Sequence, residues 1–239
     1  MIDILYVLGQ GSQWENRELR YSLRSVCRFA TGVSRVFVVG HDPGFLKDAQ
    51  VFPVADTSNN KEYNIAAMIA WASKNTDISE DFLMLNDDHF LIAPIHAPAY
   101  PLYQVGLLED RIPKVVSAQY RASLVNTREH LLKAGKPTMS FEPHTPITFN
   151  RSHFLQLTPV WEESRIRRAG YVARSIYCNY LGLVGTTIAD VKLRKPKGPE
   201  DVAKRVAGRD VFSISDSSIE LGVASFLEQL FPEKCRFEA

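Results

Sequence analysis

Two carboxylates and an imidazole stand side by side in Asn86-Asp87-Asp88-His89, inside an otherwise apolar run from Phe82 to Ile92. So short an apolar run reads as a buried strand. A core does not hold ionised carboxylates without partners, because burying an unpaired charge is very costly. The polar cluster is therefore expected where the strand leaves the core and meets a cation. A hard divalent ion takes oxygen ligands and suits Asp87 and Asp88. The plainer alternative is a strand that ends in an Asp-rich turn.

Other residues have side chains able to act with such a pair. In Phe141-Glu142-Pro143-His144-Thr145-Pro146 a histidine lies between two prolines, on a backbone expected to be stiff and extended. Histidine titrates near neutral pH and can serve as acid, base or phosphate partner; a structural histidine is the alternative. Arg174, in a segment from Gly170 to Tyr180 that reads as a helix, can clamp a diphosphate bidentately or pair with a local carboxylate. Asp216 is the acid of a polar turn that follows an alternating strand in Asp210-Val211-Phe212-Ser213-Ile214. Between Lys192 and Arg209 runs a basic stretch broken by Pro196, Gly198 and Pro199. Three readings fit it: a lid over an anionic substrate, a nucleic-acid contact, or a solvated connection. No aromatics are interleaved for base stacking, which argues against a dedicated nucleic-acid site.

The elements that must position these residues read as alternating strands and helices. Ile2 to Leu8 is a first strand. Gly9-Gln10-Gly11-Ser12 is a glycine turn that lets a ligand approach the backbone, or simply a turn from strand to helix. A helix is expected from Trp14 or Glu15. Leu19, Leu23, Val26, Cys27 and Ala30 form its buried face, and Arg20, Arg24 and Arg28 form a row along it. Arg35 to Gly40 completes a βαβ unit, with ligands expected at the carboxyl end of the first strand. Ala49 to Val54 is a further short strand. The polar loop Asp56 to Asn60 can cap a helix over Lys61 to Lys74. Lys61 and Asn64 stand in its first turn, where they can touch a phosphate or a base, or remain solvated. Prolines at 94, 98, 101 and 113 exclude a long helix in the middle section. A helix is expected over Asn126 to Ala134, and a last one carries Leu221, Phe226, Leu227 and Leu230.

The bulk numbers bound the class. A chain of 239 residues, 45% hydrophobic and 23% charged, fits one globular domain with a sizeable core. The formal net charge of +1 gives no global field toward nucleic acid or an anionic membrane. No run approaches the length of a membrane span, and the start of the chain reads as a strand, so a cytoplasmic location is expected. Cys27, Cys178 and Cys235 are far apart in sequence, with no zinc spacing and no disulfide framework, which suits a reducing compartment.

Several of these pieces occur together in one family. Glu18-Leu19-Arg20-Tyr21-Ser22-Leu23-Arg24-Ser25, the Asn-Asp-Asp strand, His144-Thr145-Pro146, Arg174, Ile214-Ser215-Asp216 and Phe231-Pro232-Glu233-Lys234-Cys235-Arg236-Phe237-Glu238 resemble the motifs of the Stealth proteins. These are bacterial capsular-polysaccharide hexose-1-phosphate transferases and lysosomal-enzyme N-acetylglucosamine-1-phosphotransferase-like proteins. The chain departs from the family where its first strand ends in Leu8-Gly9-Gln10-Gly11-Ser12 rather than Val-Asp-Gly-Ser-Asp, and where Cys235 replaces a serine, so it resembles a divergent member.

The resemblance implies a single GT-A-like α/β catalytic domain over residues 1–239, a nucleotide-diphospho-sugar transferase fold. Its mixed, mostly parallel sheet is flanked by helices, and the basic loop at about 192–209 is lid-like. It also implies a nucleotide-sugar donor, Mg²⁺ or Mn²⁺ on Asp87 and Asp88, and a hydroxyl acceptor, expected to be a saccharide, with a nucleic-acid acceptor left open. Catalysis is then expected from Asp88, His144, Arg174 and Asp216, with Asp216 completing the metal shell or orienting His144. Donor binding is expected from Gly9, Gly11, Arg20, Lys61 and Asn64. Glycosyl transfer and sugar-phosphate transfer both remain open. Two other classes compete: a non-catalytic nucleotide-sugar or carbohydrate-binding protein, and a metal-dependent phosphoesterase or nuclease.

Overall fold

A computed structural model describes residues 1–239. Its centre is a five-stranded sheet built from β1 (Ile2–Leu8), β2 (Val33–Gly40), β3 (Gln50–Pro53), β4 (Asp81–Leu85) and β6 (Ile147–Asn150) in the order β3-β2-β1-β4-β6. β1 pairs in parallel with β2 and β4, β2 pairs in parallel with β3, and β6 closes the sheet antiparallel to β4. The expected mixed, mostly parallel sheet is present.

Strand alternation sorts the core into two layers. Ile4, Tyr6 and Leu8 of β1 meet Leu19, Leu23 and Val26 of helix α1 (Arg17–Phe29) on one face. On the other face Leu5, Phe37 and Met84 meet Ala66, Ile69 and Ala72 of α2 (Lys61–Lys74), with Ile176 of α4 (Ala173–Tyr180) behind. Burial of both sheet faces is what a parallel sheet requires. At Gly40 (φ +118) an added Cβ would lie 2.1 Å from the Leu8 carbonyl oxygen, so the carboxyl ends of β1 and β2 can lie together only because this residue is glycine.

The apolar run 82–92 does not form one strand. β4 stops at Leu85, residues 86–88 turn, and β5 (His89–Leu91) leaves for a second small sheet. There β8 (Val211–Ile214) pairs antiparallel with β5 and parallel with β7 (Lys192–Leu193). Serines of α1 hold this departure. Ser22 Oγ donates to the His89 carbonyl at 2.6 Å, and the Leu91 amide donates to Ser25 Oγ at 3.0 Å. A third apolar cluster covers the second sheet with α5 (Pro199–Val206) and α6 (Val223–Leu230).

Several element expectations shift. α1 starts at Arg17, because Glu15 and Asn16 adopt left-handed backbone (φ 54 and 57). α3 (Ala118–Lys133) begins eight residues before the expected Asn126 and is capped by Ser117. Lys61–Lys74 is helical as expected, and Asn60 caps it by accepting from the Tyr63 amide at 3.1 Å. The basic stretch 192–209 is mostly regular structure: β7 and α5 lie within it, leaving 194–198 as the loop at the cleft rim and 207–209 as a turn after the helix. No helix is long and apolar enough to cross a membrane.

Candidate active site

Two adjoining cavities, of about 1010 and 1090 Å³, share walls at Lys61, Asn86, Lys192 and Arg194. They form one cleft over the carboxyl ends of β1 and β4, where the strand order reverses direction. Ligands of open α/β sheets bind at such switch points.

The acidic half holds Gly9, Gly11, Glu18, Asn64, Asp87, Asp88 and Asp216. Asp88 Oδ2 accepts from Ser213 Oγ at 2.7 Å and pairs with Lys192 Nζ at 3.2 Å. Burial raises the Asp88 carboxyl, but the Lys192 charge and the Ser213 hydroxyl outweigh it, and the net shift is downward. Asp87 goes the other way. Burial, then the neighbouring charges of Asp88 and Glu18, push it up to about 7. Asp88 Oδ1 and Glu18 Oε2 are buried without any hydrogen-bond partner. Such orphaned carboxylate oxygens are rare in folded chains and call for a partner.

No group of three or more His, Cys, Asp or Glu side chains is gathered closely enough to hold a metal ion by itself. That is compatible with Mg²⁺ or Mn²⁺. Mg²⁺ is commonly held by one or two carboxylates, with substrate phosphates and water completing the shell. The orphaned Asp88 oxygen and the raised Asp87 carboxyl fit a cation held by this carboxylate pair, with the rest of its shell coming from substrate and water.

The other half of the cleft is lined by Glu62, Arg111, Glu142, His144, Arg174 and Asp190. His144 is not extended as expected: its φ is +58, in the left-handed region. That turn carries the ring to Asp190, with Nδ1 2.7 Å from Asp190 Oδ1. A carboxylate on Nδ1 selects the tautomer whose Nε2 is the open acceptor. Burial is the largest influence on His144 and lowers it despite the Asp190 contact, which favours neutral imidazole at pH 7. Asp190 ends below the ordinary carboxylate range, because the His144 hydrogen bond and charge, the Lys192 amide and Arg111 overcome its burial.

The buried Arg174 guanidinium joins the two halves. It donates to the Thr145 carbonyl beside His144 and, at 3.2 Å, to Asn86 Oδ1 at the end of β4. Glu62 and Glu142 face each other electrostatically. Burial, then Glu142, push Glu62 up to about 7.

The cleft thus gathers Gly9, Gly11, Lys61, Asn64, Asp87, Asp88, His144, Arg174 and Asp216. An added Cβ at Gly9 or Gly11 meets nothing, so neither glycine is required by packing. Asn64 spends its amide on the 58 loop, accepting from the Ser58 amide at 3.1 Å and donating to its carbonyl at 2.7 Å. Arg20 does not belong to the cleft. It stacks on Phe45 at 3.6 Å and pairs with Glu238 at 3.3 Å, which corrects the expectation that it binds donor. Asp216 does not orient His144; Asp190 does. His89 is sealed in the core, with its imidazole held well below its usual range by burial.

Sequence reading missed Glu18, Glu62, Asp190 and Ser213, and had Lys192 only as the start of the basic stretch. Glu18 stood inside the quoted Glu-Leu-Arg-Tyr motif, and its place one residue before the buried Leu19 was the signal available. Asp190 and Ser213 carried none, since each meets its partner only through the fold.

Comparison with solved structures shows the fold. The chain matches a galactosyltransferase, LgtC, solved in complex with donor and acceptor sugar analogs. The TM-score is 0.54, and 98% of this chain and 96% of that one are covered at 12% identity. The fold is therefore that of the GT-A glycosyltransferases. In sequence, the chain is 31% identical to the exopolysaccharide phosphotransferase CpsY of Mycobacterium leprae, over 79% of this chain and 41% of that protein. It is 24% identical to CpsY of Mycobacterium tuberculosis, over 95% of this chain and 52% of that protein. The chain thus spans about half the length of these curated relatives. No protein-family model matches the chain. The CpsY similarity bears out the Stealth resemblance carried by the motifs, at the distance of a divergent relative.

Proposed function

We propose that this chain is the catalytic domain of a divalent-metal-dependent transferase. In this reading it moves a sugar phosphate from a nucleotide-sugar donor to a hydroxyl of a saccharide acceptor. One observation carries the proposal: the orphaned Asp88 and Glu18 oxygens beside Asp87 share a cleft with the His144–Asp190 pair, and Arg174 links the two. The names of the sequence relatives favour phosphosugar transfer over glycosyl transfer.

Asp87 and Asp88, with Glu18 beside them, would hold Mg²⁺ or Mn²⁺. When bound, the ion supplies positive charge to the diphosphate oxygens. Gly9 and Gly11 leave room for the nucleotide, and Lys61 and Lys192 bring ammonium groups to the phosphates. Neutral His144 takes the acceptor hydroxyl proton on Nε2, and Asp190 steadies the imidazolium that forms. Arg174 stabilises charge developing at the transferred phosphoryl group. The loop 194–198, with Arg194 and Lys195, borders the site as a lid. The acceptor oxygen bonds to the sugar-bearing phosphorus, the phosphoanhydride bond breaks, and a nucleoside monophosphate leaves.

Incubation of the purified chain with a panel of nucleotide sugars, Mg²⁺ or Mn²⁺ and a mixed saccharide acceptor tests this. The expected result is metal-dependent release of nucleoside monophosphate that is lost in Asp88→Asn. Release of nucleoside diphosphate would move the reading to glycosyl transfer. Phosphodiester cleavage without any sugar donor would move it to a phosphoesterase, and donor binding without turnover to a binding module.

A further inference from the structure

His89 is the only fully buried histidine of the chain, at 0% exposure. It follows directly on Asp87 and Asp88 and takes no part in the chemistry proposed for the cleft. A leucine or phenylalanine would fill a core position without bringing polar atoms into it. The imidazole brings two. Nδ1 accepts from the Asn86 amide at 3.2 Å. A ring nitrogen that accepts carries no proton, so the proton of this neutral imidazole is on Nε2. Nε2 is buried without a hydrogen-bond partner. A donor left unpaired in the core is destabilising, and its retention calls for a reason.

The turn that carries the two aspartates supplies one. The His89 amide donates to the Asn86 carbonyl at 3.1 Å, and the His89 ring accepts from the Asn86 amide, so both backbone polar groups of Asn86 end on His89. Asp87 and Asp88 stand between these two residues. His89 is itself tied into the core. Ser22 Oγ donates to its carbonyl at 2.6 Å, and the Tyr6 hydroxyl, 2.8 Å from Ser22 Oγ, is left to donate to that oxygen. Across β5 and β8, the strand partner of His89 is Ser213, whose hydroxyl donates to Asp88 Oδ2 at 2.7 Å. Arg174 holds the Asn86 side chain at 3.2 Å. A side chain without an acceptor at position 89 would leave the Asn86 amide unpaired and the end of β4 free to shift, and Asp87 and Asp88 with it.

We propose that His89 is a positioning residue for the metal, whose ring fixes the 86–89 turn so that Asp87 and Asp88 present their carboxylates together to Mg²⁺ or Mn²⁺. This rests on the metal-dependent reading of the cleft. His89 touches neither the ion nor the substrate; it acts through the Asn86 amide. The unpaired Nε2 is the consequence of using a ring whose other nitrogen must accept. Replacing a residue that holds metal ligands from behind weakens metal binding by about 10–100-fold.

The test is titration of the full chain with Mn²⁺ alone, read by the electron paramagnetic resonance signal of the free ion, beside urea unfolding without metal. The variants are His89→Leu and His89→Phe, which have no acceptor, His89→Asn, whose Oδ1 lies as many bonds from the backbone as the ring Nδ1, and Asp88→Asn. His89→Leu and His89→Phe should weaken Mn²⁺ binding by about 10–100-fold, while His89→Asn keeps the affinity of the unsubstituted chain. Stability should run the other way, with His89→Asn the least stable of the three, because it leaves a cavity and an unpaired amide in the core. A histidine that served packing alone would make affinity follow stability. Mn²⁺ binding that is lost in Asp88→Asn but unchanged in His89→Leu and His89→Phe, or lost equally in His89→Asn, would overturn the proposal and leave the metal reading standing. Binding that is absent from the unsubstituted chain, or unchanged in Asp88→Asn, would overturn both.

Discussion

His144 is held at φ +58 between Pro143 and Pro146, a backbone state that costs a non-glycine residue about 1–3 kcal/mol. Strain of this kind persists where the surroundings impose it, and here the Asp190 contact and the Arg174 bond to the neighbouring Thr145 carbonyl do so. Asparagine tolerates left-handed backbone well, so His144→Asn should fold with little loss while removing the base. Turnover should fall about 10²–10⁴-fold, the usual range for a lost general base. Asp190→Asn leaves the ring in place with a weaker partner. It should lower kcat more than it raises KM, and shift the acidic limb of the pH profile to lower pH, because the contact that opposes burial is weakened. Steady-state kinetics across pH checks both variants. An unchanged profile in Asp190→Asn would remove that residue from the mechanism.

The element that carries most of the organisation is α1, and its motif divides the labour by face. Leu19 and Leu23 pack on the sheet, Ser22 and Ser25 hold β5, Glu18 reaches the cleft, and Arg20 and Arg24 grip Glu238. The Arg24–Glu238 pair is nearly enclosed, with side-chain exposures of 13% and 0%, so removing Arg24 leaves the buried Glu238 with the longer Arg20 contact and the Cys235 amide as its remaining partners. Arg24→Ala is expected to destabilise the fold by about 1.5–3 kcal/mol, the range for lost hydrogen bonds to a charged group, read by urea unfolding. A loss below 1 kcal/mol, typical of a surface pair, would show that the closing segment does not clamp this helix.

Stability of the whole molecule should depend on pH through the cleft. Glu62 holds its proton more tightly folded than unfolded, with its carboxyl raised from 4.5 to about 7 by burial and Glu142. Ionising it as pH rises therefore favours the unfolded chain. Its contribution falls across that window and levels off above it. Glu62→Gln removes this titration. Its melting temperature should gain on that of the unsubstituted chain between pH 4.5 and 7, with little further gain above. A constant difference across pH would place Glu62 in open solvent instead.

Local pattern determined much of this protein. Strand and helix order, the Lys61–Lys74 helix with its Asn60 cap and the two-layer core follow from apolar periodicity and capping chemistry, which act within a few residues. The acidic strand end was legible for a related reason, since Asp87 and Asp88 contradict their apolar surroundings. The fold decided what depends on meeting at long range. It placed Asp190 rather than Asp216 on His144 and turned Arg20 to Glu238 instead of the donor side. It broke the 82–92 run after Leu85, because Ser22 and Ser25 take the backbone of the outgoing strand. Each of these contacts joins residues at least 46 apart in the chain. Their partners are chosen by the packing of whole elements, and no local spacing records that choice.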